Sequence, residues 1–246
     1  VPGDAAPGSG VHGGGVPGTE GVPGITRGIE PGPVCELGLA TVGGLQDNRV
    51  VACGKHFPGH GDTSTDSHKE LPVVTASKER LEQIEFPPFR HATAHGVATL
   101  MTAHVLYRVL DDQHPATLSP AIITNFLRGE LQYDGVVLTD DLEMHAITDH
   151  YGIEEATVRA IHAGCDMPLI CKDRNREIAA ITALDSAVAD GSISVERLEQ
   201  SLARVARLKQ RFLVPTRPVV ISDAKLVVGC RSHQVLLRSI HQARER

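Results

Sequence analysis

The chain has 246 residues, 41% of them hydrophobic, with 24 basic against 30 acidic residues for a net charge of −6. That is enough apolar material for one large domain or two small ones, which excludes fibrous and fully disordered classes. The excess of acid leaves no basic stripe for phosphates, so nucleic acid is not an expected partner. Its longest apolar runs, such as Val50 to Cys53 and Val136 to Leu138, fall far below the roughly 20 residues that cross a bilayer. Five cysteines, without a CxxC pair, fit neither a disulfide framework nor a zinc ribbon. Reduced thiols and a cytoplasmic location are the expectation. With no Trp and only eight aromatics, a stacking platform for single strands or crystalline polysaccharide is also excluded.

In chain order, the first 33 residues hold 11 Gly and 6 Pro without hydrophobic periodicity, and are expected to be disordered. Gly15, Gly18, Gly21 and Gly24 keep a period of three, too few triplets for a collagen helix. From Val34 the texture changes. A helical pattern over Glu36 to Gln46 precedes a strand at Val50 to Cys53, and Lys78 to His95 reads as a helix divided by Pro87 and Pro88. Val97 to Thr102 is the next strand, and Ser119 is placed to cap a helix beginning at Pro120. Gly135 to Thr139 and Met167 to Cys171 are further strands, separated by a helix over Glu154 to Ala163. Ile178 to Asp190 ends at Gly191, and Ser194 opens a long helix with Leu198, Leu202, Val205 and Leu208 in one apolar stripe. The tail is expected to add a short strand, Leu226 to Val228, and a last helix. Strands recurring at βα spacing predict a parallel sheet or barrel with right-handed crossovers.

Three polar clusters follow strand ends, where α/β folds keep their active sites. The first, KHFPGHGDTSTDSH, runs from Lys55 to His68 with three His, two Asp and one Lys. Pro58, Gly59 and Gly61 forbid a helix, so His56 and His60 do not form the two-His helical motif of zincins. A metal site from His56, His60, Asp62 and His68, or a plain solvated loop, are the alternatives. Within this loop Asp66 stands two residues from His68, close enough to fix the tautomer of the ring and raise its basicity. The second cluster, MTAHV, brings His104 past its strand, where a structural role is the simpler one. In the third, GVVLTDDLEM, adjacent carboxylates point to different sides, so Asp140 can face the mouth while Asp141 caps the following helix.

KHFPGHGDTSTDSHKELP, MTAHV and GVVLTDDLEM, in this order and spacing, closely resemble the β-N-acetylhexosaminidases of glycoside hydrolase family 3. The likeness runs from about Glu36 to Leu213 and includes AGCDM ahead of the long helix. It implies an α/β fold, the second half (strands five to eight) of a TIM-type (β/α)8 barrel. It also implies a retaining glycosidase that releases terminal β-linked N-acetylglucosamine through a covalent glycosyl-Asp intermediate. Asp140 resembles the nucleophile, His68 the acid/base and Asp66 its dyad partner. Lys55 and His56 resemble the pair that holds substrate hydroxyls, with His104 on the same rim. A retaining glycosidase ordinarily uses two carboxyl groups; here the dyad replaces the proton shuttle, because a His of near-neutral pKa can protonate a leaving oxygen and then deprotonate water.

No cofactor or metal is implied, and the expected partner is a small amino-sugar glycoside, as in cell-wall recycling. The sequence departs from the family at its start: Val1 to Pro33 stands in place of the first four barrel strands, as in a truncated or chimeric member. Expected units are therefore 1–33, a catalytic part 34–214 and an extension 215–246. A half barrel has two open edges, which points to self-association; the alternative functions are an inactive barrel remnant and a metallohydrolase using the His-rich loop. Pro168, inside the last strand, belongs on an edge.

Overall fold

The structure, a computed structural model, describes residues 31–60, 71–216, 218 and 220–244. Its centre is a four-stranded, wholly parallel sheet of β1 (Cys53–Phe57), β3 (Thr99–Thr102), β5 (Val136–Asp141) and β6 (Met167–Leu169), in that spatial order. A second parallel pair, β2 (Val73–Val74) with β4 (Leu106–Tyr107), lies beyond the carboxyl ends of β1 and β3 in the chain. Around the sheet run α1 (Pro31–Asp47), α2 (Lys78–Gln83), α3 (Phe86–Ala94), a wide π-type helix over Ala121–Glu130, α4 (His145–Thr148), α5 (Ile153–Ala163), α6 (Arg174–Ala189) and α7 (Val195–Leu213). The tail adds α8 (Ile221–Val227) and α9 (Arg231–Arg244). The expected α/β class with a parallel sheet is what the chain adopts.

Local chemistry explains most boundaries. Pro87 and Pro88 occupy the first turn of α3, where their missing amides are no loss, and so divide the Lys78 to His95 pattern. Ser119 Oγ accepts the Ile122 amide at 3.2 Å, and Ser194 Oγ accepts Arg197 N at 3.1 Å. Gly191 ends α6 with φ of +80°. Pro168 does lie on an edge strand, β6, whose single ladder among the described residues is with β5.

Three expectations are corrected. The first strand is Cys53–Phe57 rather than Val50 to Cys53, so Lys55 and His56 lie within it and not after it. The apolar run at 50–52 is the approach, and only the Ala52 carbonyl joins the ladder, by accepting Thr99 N at 3.1 Å. Leu226 to Val228 does not form a strand: it closes α8, with Val228 N bonded to Ala224 O, because local turns satisfy its backbone where no sheet edge does. In α7 the apolar stripe is not the buried face, for Leu198 and Leu202 are 39% and 58% exposed. Its inward side is polar: Arg197, Ser201 and Arg204 reach Asp166. The expected disordered segment falls on residues 1–30, outside the described residues, apart from 31–33, which open α1.

The core lies between the sheet and its helices, and matching levels of neighbouring strands share a face. Gly54, Leu100 and Val137 are one such level, and a Cβ at Gly54 would stand 2.8 Å from Leu100 Cδ2. On the opposite face, Met101 and Leu138 are half-buried, Cys53 is exposed and Met167 is 37% exposed. Among the described residues no helix is long and apolar enough to cross a membrane. The five cysteines are free of disulfides.

Candidate active site

Chemistry-bearing side chains gather at the carboxyl ends of β1, β3 and β5. The end of β1 is anchored first. Phe57 is fully buried, its ring 5.3 Å from Phe89 edge-on and 5.8 Å from Phe126 in a stack. After Pro58 the chain turns at Gly59, whose φ is +138° and whose absent Cβ would lie 2.7 Å from that of Glu85. The buried Tyr107 hydroxyl donates to the Gly59 carbonyl at 2.6 Å, and burial pushes its pKa up, so it stays a donor. These contacts fix the backbone up to His60.

From this base β1 presents Lys55, half-buried, and His56, 7% exposed. The His56 ring meets that of His60 edge-on at 5.8 Å between centroids. Across the sheet, Asp140 sits near the end of β5, and its Oδ2 lies 3.5 Å from His56 Nε2. Its other oxygen accepts the Asp141 amide at 2.8 Å. The Asp140 side chain is 23% exposed, so one carboxylate oxygen is held by the protein while the other faces His56 and open space. Asp141 turns elsewhere but does not cap the following helix as expected: its Oδ1 accepts Glu143 N at 3.1 Å and closes the turn after β5, while α4 opens at Met144 without a side-chain cap.

His104 is placed differently from an open rim residue. It is 1% exposed, Nδ1 is 2.8 Å from Thr117 Oγ1, and Nε2 is 3.0 Å from the Asp141 carbonyl. Both ring nitrogens are engaged inside the protein. Burial pushes its pKa down, against the opposing pull of Asp140, so the ring is neutral.

Asp66 and His68 lie outside the described residues, which stop at His60 and resume at Leu71. Asp62 of the alternative metal set lies there too. Among the described residues no group of three or more His, Cys, Asp or Glu is arranged to hold a metal ion.

Sequence reasoning missed Glu143. Its side chain is 4% exposed, and Oε2 accepts the amides of Cys171 at 3.0 Å and Lys172 at 2.6 Å, while Oε1 accepts Asp173 N at 3.2 Å. The loop after β6 is thereby tied to the turn carrying Asp140, and Cys171 comes to lie among the carboxylates of Asp141, Glu143 and Asp140, which together with burial raise its pKa. A partner 28 residues away along the chain leaves no periodic signal.

The glycosyl hydrolase family 3 N terminal domain matches residues 27–208. "Beta-hexosaminidase A" of Pseudoalteromonas piscicida is 35% identical over 84% of this chain and 37% of its own length. "Beta-hexosaminidase" of Nitrosomonas eutropha is 35% identical over 77% of this chain and 56% of its own. Among solved structures, a family 3 β-N-acetylglucosaminidase from Paenibacillus sp. str. FPU-7 superposes with a TM-score of 0.75 at 49% identity, covering 76% of this chain and 36% of that one. The β-N-acetylglucosaminidase from Thermotoga maritima gives 0.69 at 35% identity, over 74% and 40%. The chain thus spans between about a third and just over half of these relatives' lengths. With three quarters of its residues matched by the family and the motif residues Lys55, His56 and Asp140 gathered at one end of its sheet, the chain belongs to glycosyl hydrolase family 3.

Proposed function

We propose that this chain carries the catalytic half of a retaining β-N-acetylhexosaminidase that releases terminal β-linked N-acetylglucosamine. One observation carries the proposal: the partly open Asp140 carboxylate at a strand's carboxyl end, with Oδ2 turned to His56. The sheet is read as strands five to eight of a (β/α)8 barrel; two edges without further strands among the described residues, and an inner face bearing the exposed Cys53 and Met167, support this.

In the first step Asp140 Oδ2 attacks the anomeric carbon and forms a glycosyl ester while the bond to the leaving oxygen breaks. His68 gives its proton to that oxygen. In the second step water attacks the same carbon, its proton passes to His68, and the ester bond breaks to return the carboxylate. Asp66, two residues before His68, orients and charges the imidazole. Lys55 and His56 hold the sugar hydroxyls, the lysine adding positive charge where the leaving glycoside polarises. The substrate class is a small amino-sugar glycoside such as cell-wall turnover releases, and five free cysteines support a reducing, cytoplasmic setting.

The test is hydrolysis of a fluorogenic N-acetyl-β-glucosaminide beside the matching β-glucoside. Product from the amino sugar alone is expected. Product from neither, by a folded chain, overturns the assignment of activity.

A further inference from the structure

We propose that His104 is a positioning residue for the reacting carboxylate: a buried Thr102–Thr117–His104 relay holds Asp141, the residue next to Asp140, by its carbonyl. The inference rests on the assignment of Asp140 above. It replaces a sugar-binding role for His104, which leaves both ring nitrogens no free valence for a hydroxyl.

The proton inventory has one arrangement for a neutral ring. The Asp141 carbonyl can only accept, so Nε2 carries the hydrogen and donates at 3.0 Å. Nδ1 is then an acceptor and needs a donor, which the Thr117 hydroxyl supplies at 2.8 Å. The Thr117 oxygen in turn accepts the Thr102 hydroxyl at 2.8 Å. The Ala103 carbonyl, 3.0 Å from Thr117 Oγ1, is the competing acceptor for that single hydroxyl hydrogen; with the hydrogen directed to Nδ1, this carbonyl keeps the Thr117 amide at 3.2 Å. Thr102 and Thr117 are fully buried, so no water competes with this order.

What the relay holds is residue Asp141, through both peptide units that flank it. Its N–H is bound by Asp140 Oδ1 at 2.8 Å, and its carbonyl takes both His104 Nε2 and, across the turn, Met144 N at 3.0 Å. The residue following the carboxylate is therefore clamped on both sides of its Cα. Loss of the His104 bond frees the carbonyl side, and rotation about the Asp141 backbone can then shift the N–H that holds Oδ1. The reacting oxygen would lose its aim at the anomeric carbon while the sugar's own contacts stayed intact. Loss of aim is felt in kcat rather than KM, and small misplacements are worth on the order of ten- to a hundredfold.

The experiment uses the full chain with ¹⁵N-labelled histidine and kinetics on the N-acetyl-β-glucosaminide. Nitrogen spectra at neutral pH should show His104 as a neutral ring protonated on Nε2, and Thr117→Val, which removes the donor to Nδ1, should shift Nδ1. A ring protonated on Nδ1, or on both nitrogens, overturns the relay whether or not the chain turns over substrate. In kinetics, His104→Ala should lower kcat at least about tenfold with KM within about twofold. His104→Gln, whose amide N–H can reach the same carbonyl, should recover most of that loss. Equal kcat in all three proteins, with only melting temperatures changed, overturns the positioning role. If the wild-type chain hydrolyses neither glycoside, the proposed activity fails and the spectra still decide the relay.

Discussion

Two aspartates on neighbouring strands show how one side chain is given opposite duties. Asp166, just before β6, is wholly buried: one oxygen accepts Arg128 at 2.6 Å and Val137 N at 3.0 Å, the other Ser201 Oγ at 2.7 Å and Arg204 at 3.2 Å. Asp140, near the end of β5, accepts one local amide and has one histidine at 3.5 Å. A carboxylate whose lone pairs are spent on four donors organises a core and cannot attack anything. One that keeps an oxygen for open space is available to a substrate. The sheet therefore has its fully engaged carboxylate at its amino end and, on the function proposed above, its reacting one at its carboxyl end, the division expected of parallel βα arrays.

The sharpest way to break this contrast is to exchange the two losses. Asp140→Asn should abolish turnover by at least about a thousandfold while stability, read by thermal unfolding, changes by no more than about 0.5 kcal/mol. A loss of activity under about tenfold, or some 1.4 kcal/mol of barrier, would deny Asp140 its role. Asp166→Ala should do the reverse. It leaves Arg128 and Arg197 without their carboxylate and Arg204 with only the exposed Asp134, and should remove about 3–5 kcal/mol of stability in denaturant titration. Retention of wild-type stability would show that the network only decorates the amino end.

How much of this division could be read from the chain depends on the range of each interaction. Helix starts at Ser119 and Ser194, the break at Pro87 and Pro88, and the stop at Gly191 are local events, legible because a cap or a ring acts within a few residues. Asp140 was legible because it directly follows an apolar run. The place of His104 past its strand is legible, but its partners, Thr117 and the Asp141 carbonyl, come from other segments and leave no signal in the local sequence. The polar inner side of α7 is the same lesson. Leu198 and Leu202 make a proper apolar stripe, yet the contacts of Arg197, Ser201 and Arg204 with Asp166 decide which side faces the sheet. Lys55 and His56 read as loop in the sequence because β1, Cys53–Phe57, carries polar residues and a glycine where an apolar strand pattern would be expected.

A smaller test concerns pH. The ring of His104 faces Asp140, Asp141 and His60, and burial depresses its pKa below the ordinary 6.5 despite the pull of Asp140 and the Asp141 carbonyl. Above about pH 6.5 neither folded nor unfolded chain protonates this ring. Below it the unfolded chain takes up a proton that the folded chain refuses, so stability falls with acid until the folded ring titrates. His104→Gln should flatten the melting temperature against pH in that window. A curve parallel to the wild type would contradict the sign. The smallest effect is expected on the exposed stripe of α7: Leu202→Glu, at a residue 58% exposed, should change stability by no more than about 0.5 kcal/mol. A larger loss would mean that this stripe is covered in solution.

The central claim is that Asp140 is the carboxylate left free to form a bond. It is tested most directly by treating the chain with a 2-fluoro glycosyl inactivator and locating the adduct by peptide mass spectrometry. The account predicts a single sugar ester on Asp140, abolished in Asp140→Asn. An adduct on Asp141 or Glu143, whose oxygens are engaged by the turn after β5 and the loop after β6, would contradict it.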